Sequence, residues 1–265
     1  MDYVVIASAA ADATAATAVE QHHAILSGSL ALHVEGLVAA AANRNDVAAL
    51  ASRDKLVAWC TDELVPHALA EEKEMYPHAG SRPEGRLLVD GLLAEHTLIL
   101  ALVTEVAEAA QPVRAAAAAR ALQSVFESHL AKENDLVVPL LASAPDVSLA
   151  GILAGMHGLL DGGAQPDDQA TGATSGCGGH TCGCSEVDRP GLPELDARSV
   201  PHSIRHATIF GALDAVQPGE GLVLVAPHDP LPLLAQIEER APGVFAVDYL
   251  ERGPEAWRLA FVRSA

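Results

Sequence analysis

Four segments between residue 14 and about residue 142 carry an apolar residue every three or four positions, which is the spacing of the buried face of an α-helix. Turn-forming residues separate or close these segments, at Asn43–Asp46, Pro77–Gly85, Gln111-Pro112 and Pro139–Pro145. Long helices joined by short connections are typical of an antiparallel bundle. We therefore predict an all-α antiparallel four-helix bundle over residues 14–160, with a short fifth helix at 150–160.

Six polar side chains occupy positions of these apolar stripes where leucine or valine is expected. They are His23, His67, Glu71, His96, His129 and Glu133. A buried carboxylate without a partner costs several kcal/mol and would normally neutralise instead. Counted from the turns at about 1.5 Å per residue, the four histidines also lie at one level of the bundle. Metal ions would satisfy the carboxylates and imidazoles together, so the pattern predicts a six-ligand metal centre.

An internal repeat supports this prediction. The motif His67-x-x-x-Glu71, with a proline ten residues after the histidine, recurs as His129-x-x-x-Glu133 with the same proline spacing. Each motif places both side chains on one face of its helix. Two such motifs, with one lone histidine on each of the other two helices, form a set related by a pseudo-twofold axis. Carboxylate and imidazole ligands in a helical bundle suit paired iron or, less well, manganese.

The same motifs carry a resemblance to a known family. Residues 14 to about 142 resemble the hemerythrin-like HHE cation-binding domains in four places, which are His23, His67-x-x-x-Glu71 followed by EKEMYP, Glu95-His96, and His129-x-x-x-Glu133. The resemblance implies a non-haem di-iron centre in which Glu71 and Glu133 bridge the two metal ions.

One position departs from the oxygen carriers of that family. These carriers have a second histidine one turn after the ligand on the third helix, where this sequence has Leu100. A six-ligand site leaves more open coordination and favours reactivity or sensing over reversible oxygen carriage. We expect Leu100 to form an apolar wall at the open position.

Four other residues near the motifs receive structural interpretations. Tyr76 could border the site, but we expect it to pack in the core. His22 lies off the apolar stripe and should face a neighbouring helix or solvent. His33 lies about 15 Å along the helix from His23, too far for the same centre. Cys60 should be a small buried apolar residue.

A Gly-, Asp-, Ser-, Thr- and Pro-rich stretch follows the bundle and predicts a flexible linker over residues 161–193. Within it, Cys177, His180, Cys182 and Cys184 lie in eight residues. Three thiols and an imidazole could bind zinc or another soft metal, or take part in redox chemistry. The alternative is a disordered glycine-rich tether, since the spacing matches no standard zinc finger.

Residues 194–265 form a second predicted domain. Their order β-α-β-α-β-β predicts a small two-layer α/β sandwich. They resemble an uncharacterised bacterial domain related to the TusA/SirA sulfur carriers, through LDAR, PHSIRH, PGEGLVLVAPHDPLPLL and AWRLAFVR. Sulfur carriers use a Cys-Pro motif, whereas this domain has Val200-Pro201 and no cysteine, so we do not expect persulfide transfer.

Four polar residues of this second domain define a further candidate ligand site. They are His202, Arg205, His206 and His228, near a helix start and a strand end. Together they could bind a second metal ion or a small anion. The alternative is that they are solvated loop residues.

The charge balance excludes several classes of partner. Thirty-five Asp and Glu against 16 Lys and Arg give a net charge of −19, which opposes binding to nucleic acid and to anionic membranes. No uninterrupted apolar run approaches the roughly 18–20 residues of a membrane helix. Asp2 stands where a signal peptide would carry positive charge. We therefore expect a cytoplasmic protein.

These patterns favour a di-iron protein that binds, senses or reacts with oxygen, peroxide or nitric oxide, with or without catalytic turnover. The C-terminal domain would contact a protein partner or act as a redox module. One alternative is an iron-handling protein that donates metal for iron–sulfur repair, with the cysteine loop as its transfer element. A second alternative is a metal-stabilised sensor or adaptor without turnover.

Overall fold

Apolar residues at helical spacing build four long helices. The computed structural model describes residues 7–161, 192–198, 200 and 205–264. The first bundle helix is α1 (Ala10–Ala42). The second contains α2 (Asp46–Trp59), α3 (Val65–Ala70) and α4 (Tyr76–Gly80). The third is α5 (Arg86–Glu108), and the fourth contains α6 (Pro112–Lys132) and α7 (Val138–Ala142). The predicted fifth helix is α8 (Leu149–Asp161).

Three π-helical segments interrupt the second and fourth bundle helices, at Cys60–Leu64, Glu71–Met75 and Glu133–Val137. A proline stands two residues after the end of each segment, at Pro66, Pro77 and Pro139. Because proline has no N–H, the carbonyl four residues earlier loses its α-helical partner. The backbone widens instead, and in the last two segments the carbonyl of the first glutamate accepts from the N–H five residues on.

The C-terminal domain has the predicted order of strands and helices. Its elements are β1 (Glu194–Asp196), α9 (Arg205–Ala215), β2 (Gly221–Ala226), α10 (Leu231–Arg240), β3 (Phe245–Arg252) and β4 (Trp257–Arg263). The sheet order is β1-β2-β4-β3, with β1 and β2 parallel and the other pairs antiparallel. The central strand β2 is buried along its whole length. This arrangement confirms the predicted small α/β domain.

The two domains pack against each other through α1 and α9. Gly28 of α1 and Gly211 of α9 lie at this crossing, where an added Cβ on either would collide with backbone atoms of the other helix. The Ser29 hydroxyl donates a hydrogen bond of 3.1 Å to the Gly211 carbonyl. Ala31 and Leu32 of α1 join the apolar core of the C-terminal domain. The first bundle helix therefore belongs to the cores of both domains.

Two described helices, α1 and α5, are long and apolar enough to cross a membrane by length and composition alone. Both pack against other bundle helices, and each carries one of the six predicted ligands, His23 on α1 and His96 on α5. A core helix of a folded domain passes the same test, so this is weak support for a membrane span.

Candidate metal centre

The six predicted ligands meet in the interior of the bundle. Each has a relative exposure of 3% or less, although all are polar. Two groups of three have their ligand atoms within 4.8 Å of one another. The first is His23, His67 and Glu71, and the second is Glu71, His96 and His129. Glu71 is therefore shared between two sites, each of which could hold a metal ion.

Glu71 uses its two carboxylate oxygens on opposite sides. Its Oε1 lies 2.9 Å from His67 Nε2 and 3.3 Å from His23 Nε2. Its Oε2 lies 3.6 Å from His96 Nε2. This placement is compatible with a carboxylate that bridges two ions.

Glu133 reaches both halves of the centre with a single oxygen. Its Oε2 lies 3.6 Å from His129 Nε2 and 3.9 Å from His23 Nε2. Its other oxygen, Oε1, accepts a hydrogen bond of 2.7 Å from the Tyr76 hydroxyl. Glu133 therefore resembles Glu71 in position but has one oxygen engaged by the protein.

Hydrogen bonds orient three of the four imidazoles. The Nδ1 of His23 lies 2.7 Å from the Asn134 amide oxygen. The Nδ1 of His96 lies 2.8 Å from Glu72 Oε1, and that of His129 lies 3.1 Å from a Glu95 oxygen. An oxygen can only accept here, so each Nδ1 carries the proton and each Nε2 presents a lone pair to the centre. Metal-ligating histidines are commonly held in this way.

The donor set fits a cation. The Nε2 atoms of His96 and His129 lie 3.0 Å apart, and with both Nδ1 atoms protonated these are two facing lone pairs. Two nitrogens about 2.1 Å from one metal at a right angle are separated by about 3.0 Å.

Several buried side-chain atoms of the centre have no hydrogen-bond partner in the described part of the chain. They are His23 Nε2, both ring nitrogens of His67, Glu71 Oε1 and Glu133 Oε2. A cation would satisfy these atoms.

The electrostatics show how strongly the groups interact. Burial lowers the pKa of His23 and of His96, but the neighbouring carboxylates, Glu71 foremost, outweigh burial and raise both pKa values. Burial raises the pKa of Glu71, but the surrounding histidines outweigh it and lower that pKa well below its usual range. Glu71 is therefore an anion at the centre, as a metal-bridging carboxylate must be.

Tyr76 is a site residue that the sequence interpretation placed in the core. It is only 2% exposed, yet its hydroxyl lies in the centre, 3.3 Å from both His96 Nε2 and His129 Nε2. The π-helical segment Glu71–Met75 explains this placement. One π turn brings residues five apart onto one face, so Tyr76 lies on the face of Glu71.

Leu100 does not have the expected role. Its side chain is 41% exposed, so it does not form an apolar wall at the metal centre. In the interior of α5, the residue one turn beyond His96 is the buried Ile99. The expectation that Leu100 forms an apolar wall at the open position is therefore wrong.

The remaining residues near the motifs are placed as follows. His22 faces the neighbouring helix, with its ring centroid 5.0 Å from that of His67, and burial lowers its pKa to about 4. Cys60 is fully buried, as predicted, and burial raises its pKa to about 12. His33 packs beside Trp59, with ring centroids 5.6 Å apart.

The described residues include only part of the two further candidate sites. Cys177, His180, Cys182, Cys184 and His202 lie outside the described residues, and their roles stay predictions. Arg205 donates two hydrogen bonds to the Val200 carbonyl, which engages its guanidinium with the protein's own backbone. His206 and His228 are exposed, which agrees with the solvated alternative, although His206 lies in the first turn of α9 and not in a loop.

A cavity of about 620 Å³ lies between the two domains and reaches His23 and Asn134. Its bundle side includes Glu35 and Glu127, and its C-terminal side includes Glu194 and Asp196. Of the six predicted ligands, His23 is the one that lines this cavity. The C-terminal domain therefore borders the centre on the His23 side.

Two family models match the chain. Residues 14–141 match the family described as the hemerythrin HHE cation binding domain. Residues 194–263 match a family described as an uncharacterised conserved protein, DUF2249. No curated protein and no solved structure matches the chain. The relationship of the C-terminal domain to sulfur carriers stays a prediction.

Proposed function

We propose that this chain, whose residues 14–141 belong to the hemerythrin HHE cation-binding domain family, holds two iron ions and binds, senses or reacts with oxygen, peroxide or nitric oxide. The cation-binding domain and the buried histidine–glutamate groups support metal binding. The choice of iron rests on the mixed imidazole and carboxylate ligands, which suit non-haem iron. The choice of small ligand rests on the few protein ligands available to each ion.

The observation that carries the proposal is the orientation of the imidazoles. Three histidines donate Nδ1–H to outer oxygens and present Nε2 lone pairs inward. Without a cation, protons on the inner nitrogens would have to offset the two buried carboxylates, which is why the pKa values of His23 and His96 are raised. With two ions, His23 and His67 would hold one and His96 and His129 the other, with Glu71 and Glu133 between them.

The protein side chains then leave room for an outside ligand. Two histidines and two shared carboxylates would give each ion four protein ligands, fewer than the six that iron commonly takes. Iron with an open position supplies reversible binding or reduction of small oxidants. The hydroxyl of Tyr76 donates to Glu133 Oε1 and lies 3.3 Å from His96 Nε2 and His129 Nε2, so it would be a protonated donor close to the ion that these histidines would hold. Burial raises the pKa of Tyr76, so the phenol keeps its proton at neutral pH.

A sensing role has a specific observation in its favour. His23 lies on α1, and the same helix packs against α9 of the C-terminal domain through Gly28 and Ser29. A change in the ligands of the first ion would therefore act on the helix that holds the second domain. Sensing and turnover are both compatible with the same centre.

The experiment is ligand binding to the reduced protein, followed by absorption spectroscopy. We expect nitric oxide to bind the diferrous protein, azide to bind the oxidised protein, and air to oxidise the reduced protein irreversibly. His67→Ala should abolish these spectral changes, whereas His78→Ala, which removes an exposed histidine of the same bundle helix, should preserve them. Full recovery of the reduced spectrum over repeated oxygen and argon cycles would identify a reversible carrier. No spectral response to any of these ligands would contradict the proposal.

A further inference from the structure

The residues around the centre repeat the pseudo-twofold arrangement of the ligands. Asn134 directly follows Glu133 and accepts from His23, just as Glu72 directly follows Glu71 and accepts from His96. In each half, the residue directly after the motif glutamate therefore orients the lone histidine of another helix.

The second pair of outer residues follows the same rule. Glu95 directly precedes His96 and accepts from His129. His22 directly precedes His23, and its ring lies beside that of His67. His22 and Glu95 thus occupy corresponding positions in the two halves.

The chemistry of these outer residues differs between the halves. His96 and His129 both donate to carboxylates, Glu72 and Glu95. His23 donates to a neutral amide, and the Nδ1 of His67 has no hydrogen-bond partner among the described residues. The ligand set is nearly symmetric, but both carboxylates that hydrogen-bond to its imidazoles lie on the half of His96 and His129. Glu20 also interacts electrostatically with His23, but the direct acceptor of the His23 Nδ1–H is the neutral amide of Asn134.

A carboxylate that accepts from a ligating imidazole makes that imidazole a stronger electron donor. Negative charge close to the ion also favours the ion of higher charge. The two carboxylates are not equal in this respect. The Lys132 ammonium lies 2.6 Å from Glu95 Oε1 and offsets part of its charge, whereas Glu72 is 35% exposed and lies 2.8 Å from His96.

We infer that the two irons are inequivalent, and that the ion on His96 and His129 is oxidised before the ion on His23 and His67. This inference rests on the proposed di-iron function. In the step concerned, one ferrous ion loses one electron to an outer-sphere oxidant, for which ferricyanide serves as the probe and becomes ferrocyanide. No bond to the protein forms or breaks. Glu72 and Asn134 are positioning residues, since they act through His96 and His23.

The test is a potentiometric titration of the full chain, with the mixed-valent state followed by electron paramagnetic resonance. Glu72→Gln keeps a hydrogen-bond acceptor for His96 and removes one negative charge from its half. Asn134→Asp is the mirror variant, since it adds a negative charge to the His23 half. Glu105→Gln, an exposed position on α5 away from the centre, is the matched charge control.

Glu72→Gln should raise the first midpoint potential more than the second and narrow the gap between them. Asn134→Asp should lower the second more than the first and narrow the gap as well. Glu105→Gln should leave the gap unchanged. A gap that widens or stays the same in both test variants overturns the inference and leaves the di-iron function intact. A protein without any iron signal overturns the function and the inference together.

Discussion

Tyr76 shows how a single side chain changes the chemistry of the centre. Its hydroxyl donates to Glu133 Oε1 at 2.7 Å in a fully buried setting. The position that corresponds to it in the other motif, five residues after Glu133, is Val138. The internal repeat is therefore broken at this point, and of the two motif glutamates it is Glu133 whose carboxylate accepts a hydrogen bond from a phenol. In the metal-free protein, the hydrogen bond from Tyr76 should therefore stabilise the buried Glu133 carboxylate.

Tyr76→Phe tests this dependence. Removing a buried hydrogen bond to a charged group costs about 1.5–3 kcal/mol, so the metal-free variant should unfold at lower urea concentration than the metal-free parent. Tyr249→Phe is the control, because its hydroxyl donates to the part-buried Asp229 at 2.8 Å in the C-terminal domain. Its loss should cost less than that of Tyr76, because solvent can replace a partly exposed hydrogen bond. Equal losses of unfolding free energy in the two variants would contradict a larger stabilising effect of the Tyr76 hydrogen bond.

Glu133→Ala tests the role of this carboxylate as a ligand. The variant should bind less iron than the parent, because a shared ligand of both ions is lost. Glu127→Ala, at an exposed position earlier on the same bundle helix, should bind the same amount as the parent. A Glu133→Ala protein with unchanged iron and raised thermal stability would identify Glu133 as a merely buried carboxylate, since its removal relieves a desolvation cost.

The helical stripe was sufficient to predict the burial of the six polar residues, because each stands at an α-helical interval from apolar neighbours. Their role as ligands stays a prediction. Tyr76 packs in the core as predicted, but the position of its hydroxyl at the centre was missed for a physical reason. The α-helical period predicts positions three and four beyond Glu71, whereas the π turn brings the fifth onto the same face. The signal was present in Pro77, which removes the N–H that an α-helix would require there.

The crossing of α1 and α9 is the element on which the arrangement of the two domains depends. Gly28 and Gly211 allow the two backbones to approach, and no side chain separates them. The order of helices and strands could be predicted from periodicity and turn residues. The docking could not, because a glycine within a helical segment gives no sign of which helix will pack against it. The polar linker between the domains also predicted a loose connection.

Gly211→Val should separate the domains. The new side chain would meet the backbone of α1 around Ile25, which cannot retreat as a flexible side chain can. The radius of gyration measured by small-angle X-ray scattering should therefore increase. Gly91→Val is the matched control, since Gly91 lies in α5 and an added Cβ there meets nothing within 4 Å. An unchanged scattering profile for Gly211→Val would argue against the close crossing.

At the scale of the whole molecule, the candidate metal centre and the C-terminal domain border the same cavity. The cavity of about 620 Å³ between the domains is bordered by His23 and Asn134 on one side and by Glu194 and Asp196 on the other. Most of the charge that lines it is acidic, in keeping with the net charge of −19. The bundle and the docked domain are therefore joined by α1, which carries His23 and packs against α9.

The central claim is that six buried side chains hold a pair of iron ions. Elemental analysis of the full chain, purified from iron-replete cells, tests it most directly. A parallel variant with serine at Cys177, Cys182 and Cys184 separates any metal on the linker from metal in the bundle. We expect about two iron ions per chain in both proteins, as in di-iron bundles, with any zinc confined to the parent. A bundle that contains no iron in either protein would contradict the account.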